Sequence, residues 1–357
     1  MLKIVTIVGA RPQFIKAATV SRVIRSRSDI DEIILHTGQH FDENMSEIFF
    51  TDMDIPRPNY NLQIESLPHG AMTGRMLEGI EKILVKENPD WVVVYGDTNS
   101  TLAGALAASK LHLKLAHVEA GLRSHNMRMP EEVNRIITDR LSSLLLCPST
   151  LAVSNLKLEG YENFSVKVVN LGDVMFDASL FYSERAKKPA WLDSYSPSGG
   201  FVLATVHRAE NTDDPRRLKE IIRALNSINK SSPIIFPLHP RTKNIMDASG
   251  IVLDFEPVDP VGYLEMIYLL KNCKYVMSDS GGLQKEAYFF KKSCMILRDE
   301  TEWPELVEHG TNQIVGADYD RIIGAITNLD SNLDYDYQYY GDGFAAEKIV
   351  DYLQLSV

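Results

Sequence analysis

The sequence is poor in cysteine, with three residues in 357, and they lie far apart at Cys147, Cys273 and Cys294. Their surroundings, LLLCP, KNCKYV and SCMIL, are typical of strands or helix ends. An odd number of cysteines without metal-ligand spacing argues against a disulfide framework and against a metal site. We therefore expect three small buried side chains and no bound metal.

Long apolar runs are also absent. No stretch approaches the roughly 18 to 20 residues that span a bilayer. The start, MLKIVTIVGARPQFIK, has too short an apolar run and no small-residue cleavage site for a signal peptide. With 45% hydrophobic and 24% charged residues, the composition is typical of a soluble globular protein. We expect a cytoplasmic protein with no membrane partner.

A basic excess is missing, since the formal net charge is −11. A surface that follows nucleic-acid phosphates normally needs such an excess, so we expect no nucleic-acid partner. A small anionic ligand stays compatible, because local arginines can bind it whatever the total charge. The motifs GxGxxG and GxxxxGK[ST] are missing too, which argues against an NAD site of the Rossmann type and against a P-loop.

Runs rich in β-branched residues alternate with helical patterns along the chain, which predicts parallel α/β layers. The length is too great for one ordinary core and suits two domains. The first series of predicted strands covers 2–9, 31–38, 90–97, 113–121, 144–148 and 166–173. The second series covers 200–207, 232–239, 251–256, 274–279, 293–299 and 312–318.

A surface stretch rich in Pro, Ser and Gly, ERAKKPAWLDSYSPSGG, separates the two series and comes after a predicted helix at about 174–186. We place the domain boundary at this point, with one domain over 1–173 and the other over 174–340. The tail, YGDGFAAEKIVDYLQL, predicts a last helix at about 341–357 that can pack on either domain.

Polar residues cluster at the predicted strand ends. In doubly wound sheets, ligands bind beyond the carboxyl ends of the strands. Two half-sites that face each other across a cleft would explain the cluster. Its members are Arg11, Gln39 with His40, Asp97, Glu119, His207, His239, Asp279 with Ser280, and Arg298.

Two motifs of the first series place charge at a helix start. GARPQFIK comes directly after the first predicted strand, and Pro12 suits the first turn of a helix. Arg11 and Lys16 are therefore candidates to hold a diphosphate near the positive helix end, the alternative being a solvated basic helix start. In YGDTNST, Asp97 is either a functional carboxylate or a simple cap of the next helix.

The stretch HVEAGLRSHNMRMPEEVNR gathers carboxylates, with Glu119 at a strand tip and two more at the next helix start. An acidic helix start is ordinary. However, Glu131 and Arg135 are four residues apart and share a helix face. Glu132 is turned by about 100° from Glu131, so we predict that Arg135 orients Glu131.

The second series carries ATVHRAEN and SDSGGLQKEA. His207 ends a predicted strand, where it is either a ligand-binding or an ordinary structural histidine. Ser280 can cap the next helix, while Gly281 and Gly282 let backbone N–H groups approach a phosphate. Glu286 falls one turn later and can accept ribose hydroxyls. The pattern indicates a nucleotide-diphosphate site, and a plain capped helix is the alternative.

These motifs occur in the order found in the non-hydrolysing UDP-N-acetylglucosamine 2-epimerases of bacteria, which the chain resembles nearly end to end. GARPQFIK stands for the usual G-T-R-P-E-x-I-K. After it come TGQH, YGDTNST, HVEAGLRS, PEEVNR, HRAEN, DSGGLQKEA and RDETEWPE. The resemblance implies a GT-B-like, usually dimeric fold, with two doubly wound Rossmann-type domains facing across a cleft. It also implies that the last helix crosses back to the first domain.

The resemblance also implies residue roles. The acid/base carboxylates would be Asp97, Glu119 and Glu131. The diphosphate and the catalytic centre would be supported by His207, Arg11, Lys16 and Arg135. The UDP-binding turn would comprise Ser280, Gly281, Gly282 and Glu286. Some members have a second, activating UDP-GlcNAc site, which would correspond to Gln39, Arg75, Arg208 and His239.

Two departures from the family pattern concern Gln13, where many members have Glu, and Trp303, where most have Arg. The lost arginine would ordinarily contact the substrate. GARPQFIK with TEW is most similar to the branch that acts on UDP-2,3-diacetamido-2,3-dideoxyglucuronate. The sugar is therefore either of the UDP-GlcNAc type or this diacetamido uronate, in both cases for surface polysaccharide synthesis.

The implied reaction is inversion of C2, whose proton is not acidic because no carbonyl adjoins it. Anti elimination of UDP gives a 2-acetamidoglycal, and re-addition with protonation on the opposite face inverts C2. This route needs no cofactor. The alternatives are a hydrolysing 2-epimerase, a GT-B glycosyltransferase and a non-catalytic sensor of nucleotide sugars.

Overall fold

The computed structural model describes residues 1–38, 54, 57–195, 200–327, 329, 333–335 and 337–356. The chain divides into two compact units. Unit 1 comprises Met1–Ala178 and Gln338–Val357, and unit 2 comprises Ser179–Tyr337. Cys147, Cys273 and Cys294 are buried and free, as the sequence predicts.

Unit 1 contains a seven-stranded parallel sheet in the order β3-β2-β1-β4-β5-β6-β7. Its strands are β1 Leu2–Val8, β2 Ile30–His36, β3 Tyr60–Asn61, β4 Trp91–Tyr95, β5 Lys114–Val118, β6 Leu144–Cys147 and β7 Lys167–Asn170. The central strand β4, WVVVY, is buried at every position, as expected where helices cover both faces of a parallel sheet. Only β3, two residues long, has no counterpart among the predicted strands.

Seven α-helices of the described chain begin in unit 1. They are α1 Arg11–Arg25, α2 His69–Glu87, α3 Asn99–Lys110, α4 Pro130–Leu141, α5 Thr150–Leu158, α6 Val174–Ser183 and the C-terminal α15 Ala345–Leu355. A core on one face of the sheet contains Ile80 of α2 and Ala105 of α3 with Val92 and Val94 of β4, all fully buried. This core lies beneath the strand ends that carry the candidate site.

The C-terminal helix α15 packs on unit 1. Arg27 donates to Asp351 at 2.5 Å and to Gln354 at 2.6 Å. At the other end of the helix, the amides of Ala345 and Ala346 donate to the carboxylate of Asp177 at 3.1 and 2.7 Å. Both ends of α15 are therefore tied to the unit that contains the N-terminal sheet.

Unit 2 contains a five-stranded parallel sheet in the order β12-β11-β10-β8-β9. Its strands are β8 Val202–Thr205, β9 Ile234–Ile235, β10 Val276–Ser278, β11 Cys294–Ile296 and β12 Asn312–Ile314. Its remaining helices are α7 Leu192–Tyr195, α8 Ala209–Thr212, α9 Pro215–Asn229, α10 Pro240–Ser249, α11 Tyr263–Asn272, α12 Gly281–Phe289, α13 Pro304–Glu308 and α14 Tyr319–Thr327. The predicted fold class, α/β with two doubly wound parallel sheets, is confirmed.

One predicted strand, 251–256, is wrong. The side chain of Asn226 on α9 donates to the Val252 carbonyl at 3.0 Å and accepts from the Asp254 amide at 2.9 Å. The backbone of the segment therefore bonds to a helix side chain where a strand would bond to a neighbouring strand. Its alternation of apolar residues comes from packing on this helix. Pairing with the sheet begins later, as a single parallel bridge between Pro237 and Val258.

In the part of the chain that the structure describes, no helix combines the length and the apolar character needed to cross a membrane.

Candidate active site

The amide of Gln13 joins the loop after β1 to the end of β4. Its oxygen accepts the N–H groups of Gly9 and Ala10 at 2.9 and 3.0 Å. Its nitrogen donates to the Tyr95 carbonyl at 2.8 Å and to the Thr101 hydroxyl at 2.9 Å. Because the amide is both donor and acceptor, it aligns two strand ends at the edge where ligands bind in such sheets.

Lys16 and Glu119 form an ion pair at this edge, and their side chains are only 10% and 9% exposed. The solvated alternative for Lys16 is therefore wrong. Glu119 has a φ of 71°, a left-handed conformation that is strained for a residue with a side chain. The N–H groups of Glu119 and Ala120 both donate to the Leu146 carbonyl of β6 and hold this conformation.

Asp97 is held by Arg135 rather than by the helix next to it in the chain. The Arg135 guanidinium of α4 donates to the Asp97 carboxylate at 2.6 Å. Thr98 caps α3 by accepting the Thr101 amide at 3.3 Å, so of the two alternatives for Asp97 the helix cap is wrong. The Asn134 side chain donates to the Asp97 carbonyl at 2.8 Å and fixes the backbone of the same residue.

Arg135 also donates to Glu132, at 2.8 Å. The prediction that Glu132 is turned away from Arg135 is wrong, because side chains three residues apart on a helix are neighbours as well. Glu132 further accepts the amides of Ser124 and His125 at 3.0 and 2.9 Å. Burial acts to raise the pKa of Glu132, but these hydrogen bonds and Arg135 lower it below its ordinary value. Glu131 is half-buried in the same turn of α4.

Gly96 lies between these contacts. Its φ is +62°, and a Cβ atom at this position would lie 3.1 Å from the Lys16 ammonium and 3.3 Å from the Glu119 carboxylate. Only glycine fits without strain. Lys16, Asp97, Glu119, Glu132 and Arg135 are therefore brought together, and we call them the acidic site of unit 1. Arg11 begins α1 at the same edge and is half-buried.

In unit 2, the Asp279 carboxylate accepts hydrogen bonds from the loop after β8. Asp279 is fully buried at the end of β10 and belongs to the predicted polar cluster at the strand ends, without a specific predicted role. It accepts the amides of His207 and Arg208 at 3.0 and 2.9 Å and the Asn211 side chain at 3.1 Å. The ends of β8 and β10 are thereby joined.

His207 lies beside this carboxylate, with its Nδ1 3.5 Å from the Asp279 oxygen. Burial lowers the pKa of His207, the nearby Arg208 and His239 lower it further, and the charge of Asp279 opposes the shift without reversing it. The ring is therefore neutral at pH 7, where one nitrogen donates and the other accepts.

Ser280 occupies the N-cap position of α12, but its hydroxyl makes no capping hydrogen bond, so the predicted side-chain cap is wrong. Gly281 is buried, whereas Gly282 is exposed and has no heavy atom within 4 Å of its Cβ position. Helix N-termini attract anions through their N–H groups. We call Ser280, Gly281 and Gly282, with His207 and Asp279, the turn site of unit 2.

Two aromatic residues support the turn site. The Trp303 indole is 4% exposed, and its N–H donates to the Gly281 carbonyl at 2.9 Å. The Lys285 ammonium lies 4.1 Å from the centre of the same indole. The Tyr263 hydroxyl donates to Glu286 at 2.9 Å. Burial raises the pKa of Tyr263 well above its ordinary value, so it stays a donor.

The residues considered for a second site belong to both units. The ring centroid of His239 lies 5.8 Å from that of His207. An Arg208 guanidinium nitrogen lies 3.8 Å from the Cβ position of Gly281, so both residues lie at the turn site of unit 2. Arg75 is exposed on α2 of unit 1. Gln39 lies outside the described residues.

Comparison with known proteins gives a consistent result. The family model described as UDP-N-acetylglucosamine 2-epimerase matches residues 22–354. The UDP-2,3-diacetamido-2,3-dideoxy-D-glucuronate 2-epimerase of Pseudomonas aeruginosa is 56% identical over 354 residues, which cover 99% of both chains.

Solved structures agree. The UDP-GlcNAc 2-epimerase of Methanocaldococcus jannaschii in complex with UDP-GlcNAc and UDP is 42% identical, with a TM-score of 0.88 and 99% of both chains covered. The UDP-GlcNAc 2-epimerase of Neisseria meningitidis bound to UDP-GlcNAc is 30% identical, with a TM-score of 0.88 and coverage of 99% of this chain and 100% of that one.

Proposed function

The chain belongs to the UDP-N-acetylglucosamine 2-epimerase family of isomerases, and from this premise we propose that it inverts C2 of a UDP-2-acetamido sugar by eliminating UDP and adding it back. The acidic site of unit 1 is the observation that carries this proposal. Two carboxylates, Asp97 and Glu119, each lie against a cation on either side of one glycine. Proton transfer on two faces of a carbon needs two such groups.

In the proposed reaction, one carboxylate takes the C2 proton and the electrons of that bond form a C1=C2 double bond. The C1–O bond breaks, and its electrons go to the diphosphate. Re-addition of UDP to the 2-acetamidoglycal then forms the C1–O bond while a second acid protonates C2 from the opposite face. No net oxidation or reduction occurs.

We assign the acid/base roles to Asp97, Glu119 and Glu131. Because Lys16 holds Glu119 and Arg135 holds Asp97, each carboxylate has a fixed direction before substrate binds. Glu132 shares Arg135 with Asp97 and is therefore a positioning residue in this scheme.

We assign UDP binding to unit 2, with the N–H groups of Gly281 and Gly282 directed at the diphosphate. The Ser280 N–H already donates to the Ser278 hydroxyl at 2.9 Å, so we assign the contact of Ser280 to its own hydroxyl. Neutral His207 supplies another donor, and Arg11 a cation, as charge develops on the leaving group. The Tyr263 hydroxyl donates to Glu286 at 2.9 Å and orients this carboxylate, to which we assign the ribose hydroxyls.

We propose UDP-2,3-diacetamido-2,3-dideoxyglucuronate as the preferred substrate. The support is the full-length relative of that name at 56% identity. Trp303 adds to it, because GARPQFIK with TEW resembles the branch that acts on this uronate. The indole N–H of Trp303 donates to the Gly281 carbonyl at 2.9 Å, so this residue also fixes the turn site.

The test offers this uronate and UDP-GlcNAc separately in heavy water and monitors both epimers by NMR. We expect deuterium at C2 of substrate and product, UDP still attached to both, and a higher kcat/KM for the uronate. Full retention of the C2 hydrogen would exclude elimination. Free sugar with UDP would indicate a hydrolysing epimerase, and dependence on an acceptor without exchange would indicate a glycosyltransferase.

A homodimer, a cytoplasmic location and an activator site that includes Arg75, Arg208 and His239 stay predictions. Light scattering tests the first, cell fractionation the second, and initial rates with added UDP-GlcNAc the third.

A further inference from the structure

A fully buried histidine connects the strand ends of the acidic site. His117 lies in β5, two residues before Glu119, and is 0% exposed. Its Nε2 lies 2.7 Å from the carbonyl oxygen of Gly96, and its Nδ1 lies 2.6 Å from a carboxylate oxygen of Asp139. The proposed reaction gives no role to these contacts. The family resemblance gives a role to Glu119 but none to His117 or Asp139.

The partners of the ring determine its hydrogen-bonding roles. Burial acts to raise the pKa of Asp139, but His117 and Arg123 lower it, so the carboxylate is ionised and only accepts. The Gly96 carbonyl also only accepts, so both neighbours of the ring are hydrogen-bond acceptors. Arg123 donates to Asp139 at 2.7 Å and pairs with Glu159 through two bonds of 2.6 and 2.9 Å.

The contact with Gly96 matters because Asp97 is the next residue in the chain, and glycine has the widest backbone freedom of any residue type. The Gly96 amide donates to Val118, next to Glu119, at 3.0 Å, while its carbonyl accepts from His117. The Gly121 amide donates to Asp139 at 3.1 Å. Backbone on both sides of Glu119 is thus tied to the same ring and carboxylate.

We propose that His117 is a positioning residue for catalysis, which fixes the Gly96–Asp97 turn relative to Glu119, with Asp139 orienting its ring. The proposal rests on the proposed function, because it assumes that Asp97 and Glu119 act on one substrate. A misplacement of about 1 Å in a catalytic group costs up to about 10²-fold in rate. A buried network that serves only stability would have no such effect on folded enzyme.

The experiment compares two substitutions that each keep one ring contact. In His117→Gln, the amide nitrogen can still donate to the Gly96 carbonyl. In His117→Asn, the shorter amide can reach Asp139 but not Gly96. Ile80→Ala, in the core of unit 1, removes none of these hydrogen bonds and is the control for lost stability alone. Measured quantities are kcat and KM for C2 inversion, deuterium exchange at C2, and the thermal unfolding midpoint.

We expect His117→Asn to lower kcat by about 10²-fold, with KM changed by less than about threefold, since the loss is one of alignment rather than of binding. His117→Gln should retain kcat within about tenfold of the wild type. Ile80→Ala should lower the unfolding midpoint at least as much and keep kcat.

Equal kcat in the two His117 variants would overturn the positioning role. So would an Ile80→Ala variant whose kcat falls in proportion to its unfolding midpoint, as in the His117 variants. Neither result would affect the proposed epimerase function. A wild-type chain inactive on both nucleotide sugars would overturn the function and the inference together. If His117→Asn does not fold, the test depends on His117→Gln alone. A loss of kcat in His117→Gln as large as that in Asp97→Asn would then contradict the proposal.

Discussion

At the scale of single residues, the amide of Gln13 is satisfied on both sides, with two N–H donors on its oxygen and two acceptors on its nitrogen. A carboxylate has the same shape but no donor when ionised. The departure from the glutamate of many relatives thus has a local reason, since Tyr95 presents a carbonyl oxygen to this position.

We predict that Gln13→Glu lowers the free energy of unfolding by about 1–3 kcal/mol at pH 8, because the Tyr95 carbonyl then faces another acceptor in a buried place. The loss should shrink at pH 5, where the introduced carboxyl regains a proton and a donor. Urea unfolding at both pH values measures it.

The exposed Gln63 provides the control, since Gln63→Glu makes the same chemical change in solvent. It should alter stability by less than about 0.5 kcal/mol at either pH. Equal effects at positions 13 and 63 would show that the four hydrogen bonds of Gln13 do not matter.

At the scale of elements, the attachment of α15 depends on a carboxylate in another helix. Asp177 of α6 accepts the first two amides of α15, which has no capping hydrogen bond from its own N-cap side chain. Burial raises the pKa of Asp177 to about 6, and the nearby Asp173 and Asp342 add to this effect, while the two amides oppose it.

We predict that the contribution of Asp177 to stability falls as pH rises. A carboxyl whose folded-state pKa is raised binds more protons when folded, so its stabilisation is complete below the ordinary value of 3.8 and is lost as pH passes through about 6. The difference in unfolding free energy between wild type and Asp177→Asn should therefore be larger at pH 5 than at pH 7.5.

Asp342 is the matched control with the opposite sign. Its contact with Lys348 lowers its pKa, so Asp342→Asn should remove a small stabilisation that appears as pH rises. The same slope in both variants would refute the assignment for Asp177.

At the scale of the whole molecule, the proposed scheme divides the work between the units, with proton transfer in unit 1 and nucleotide binding in unit 2. We predict that Asp97→Asn lowers kcat by about 10²-fold or more, the usual scale for a general acid or base. The dissociation constant for UDP should stay within about twofold, because in this scheme Asp97 acts on the sugar and makes no contact with UDP. Steady-state kinetics and calorimetry measure the two quantities.

The reciprocal change is Gly282→Val, whose side chain enters open space above the helix start. It should weaken UDP binding while leaving the unfolding midpoint nearly unchanged. If Asp97→Asn abolishes UDP binding, or Gly282→Val leaves it intact, the division of work is incorrect.

Much of the architecture could be predicted from the sequence, because strand and helix patterns are local. The resemblance to the epimerase family is confirmed, as is the fold class. The exceptions have local reasons too. The segment 251–256 has the alternation of a strand, yet its partner is the side chain of Asn226, and alternation alone does not distinguish the two.

The candidate site could be predicted only in part. Motif order indicated Asp97, Glu119 and the Ser280 turn as candidates, and their catalytic and binding roles stay predictions. Asp279 was predicted as a member of the polar cluster at the strand ends but without a role. His117 was missed, although a polar side chain within a buried strand run, as in KLAHV, is a signal for such a residue. Glu132 was missed as a partner of Arg135, because spacings of three and of four residues on a helix both bring side chains together.

The sequence by itself determined the layers, the strand ends and the family, since these depend on short-range periodicity and on motifs that run along one chain. Only the tertiary structure decided which carboxylate Arg135 holds, which carbonyl His117 binds and which loop Asp279 gathers. These contacts join residues 21 to 72 positions apart, or depend on the rotation of a helix. The strength of these buried hydrogen bonds depends on how the partners are oriented. Distant parts of the chain set that orientation, so no local sequence pattern predicts it.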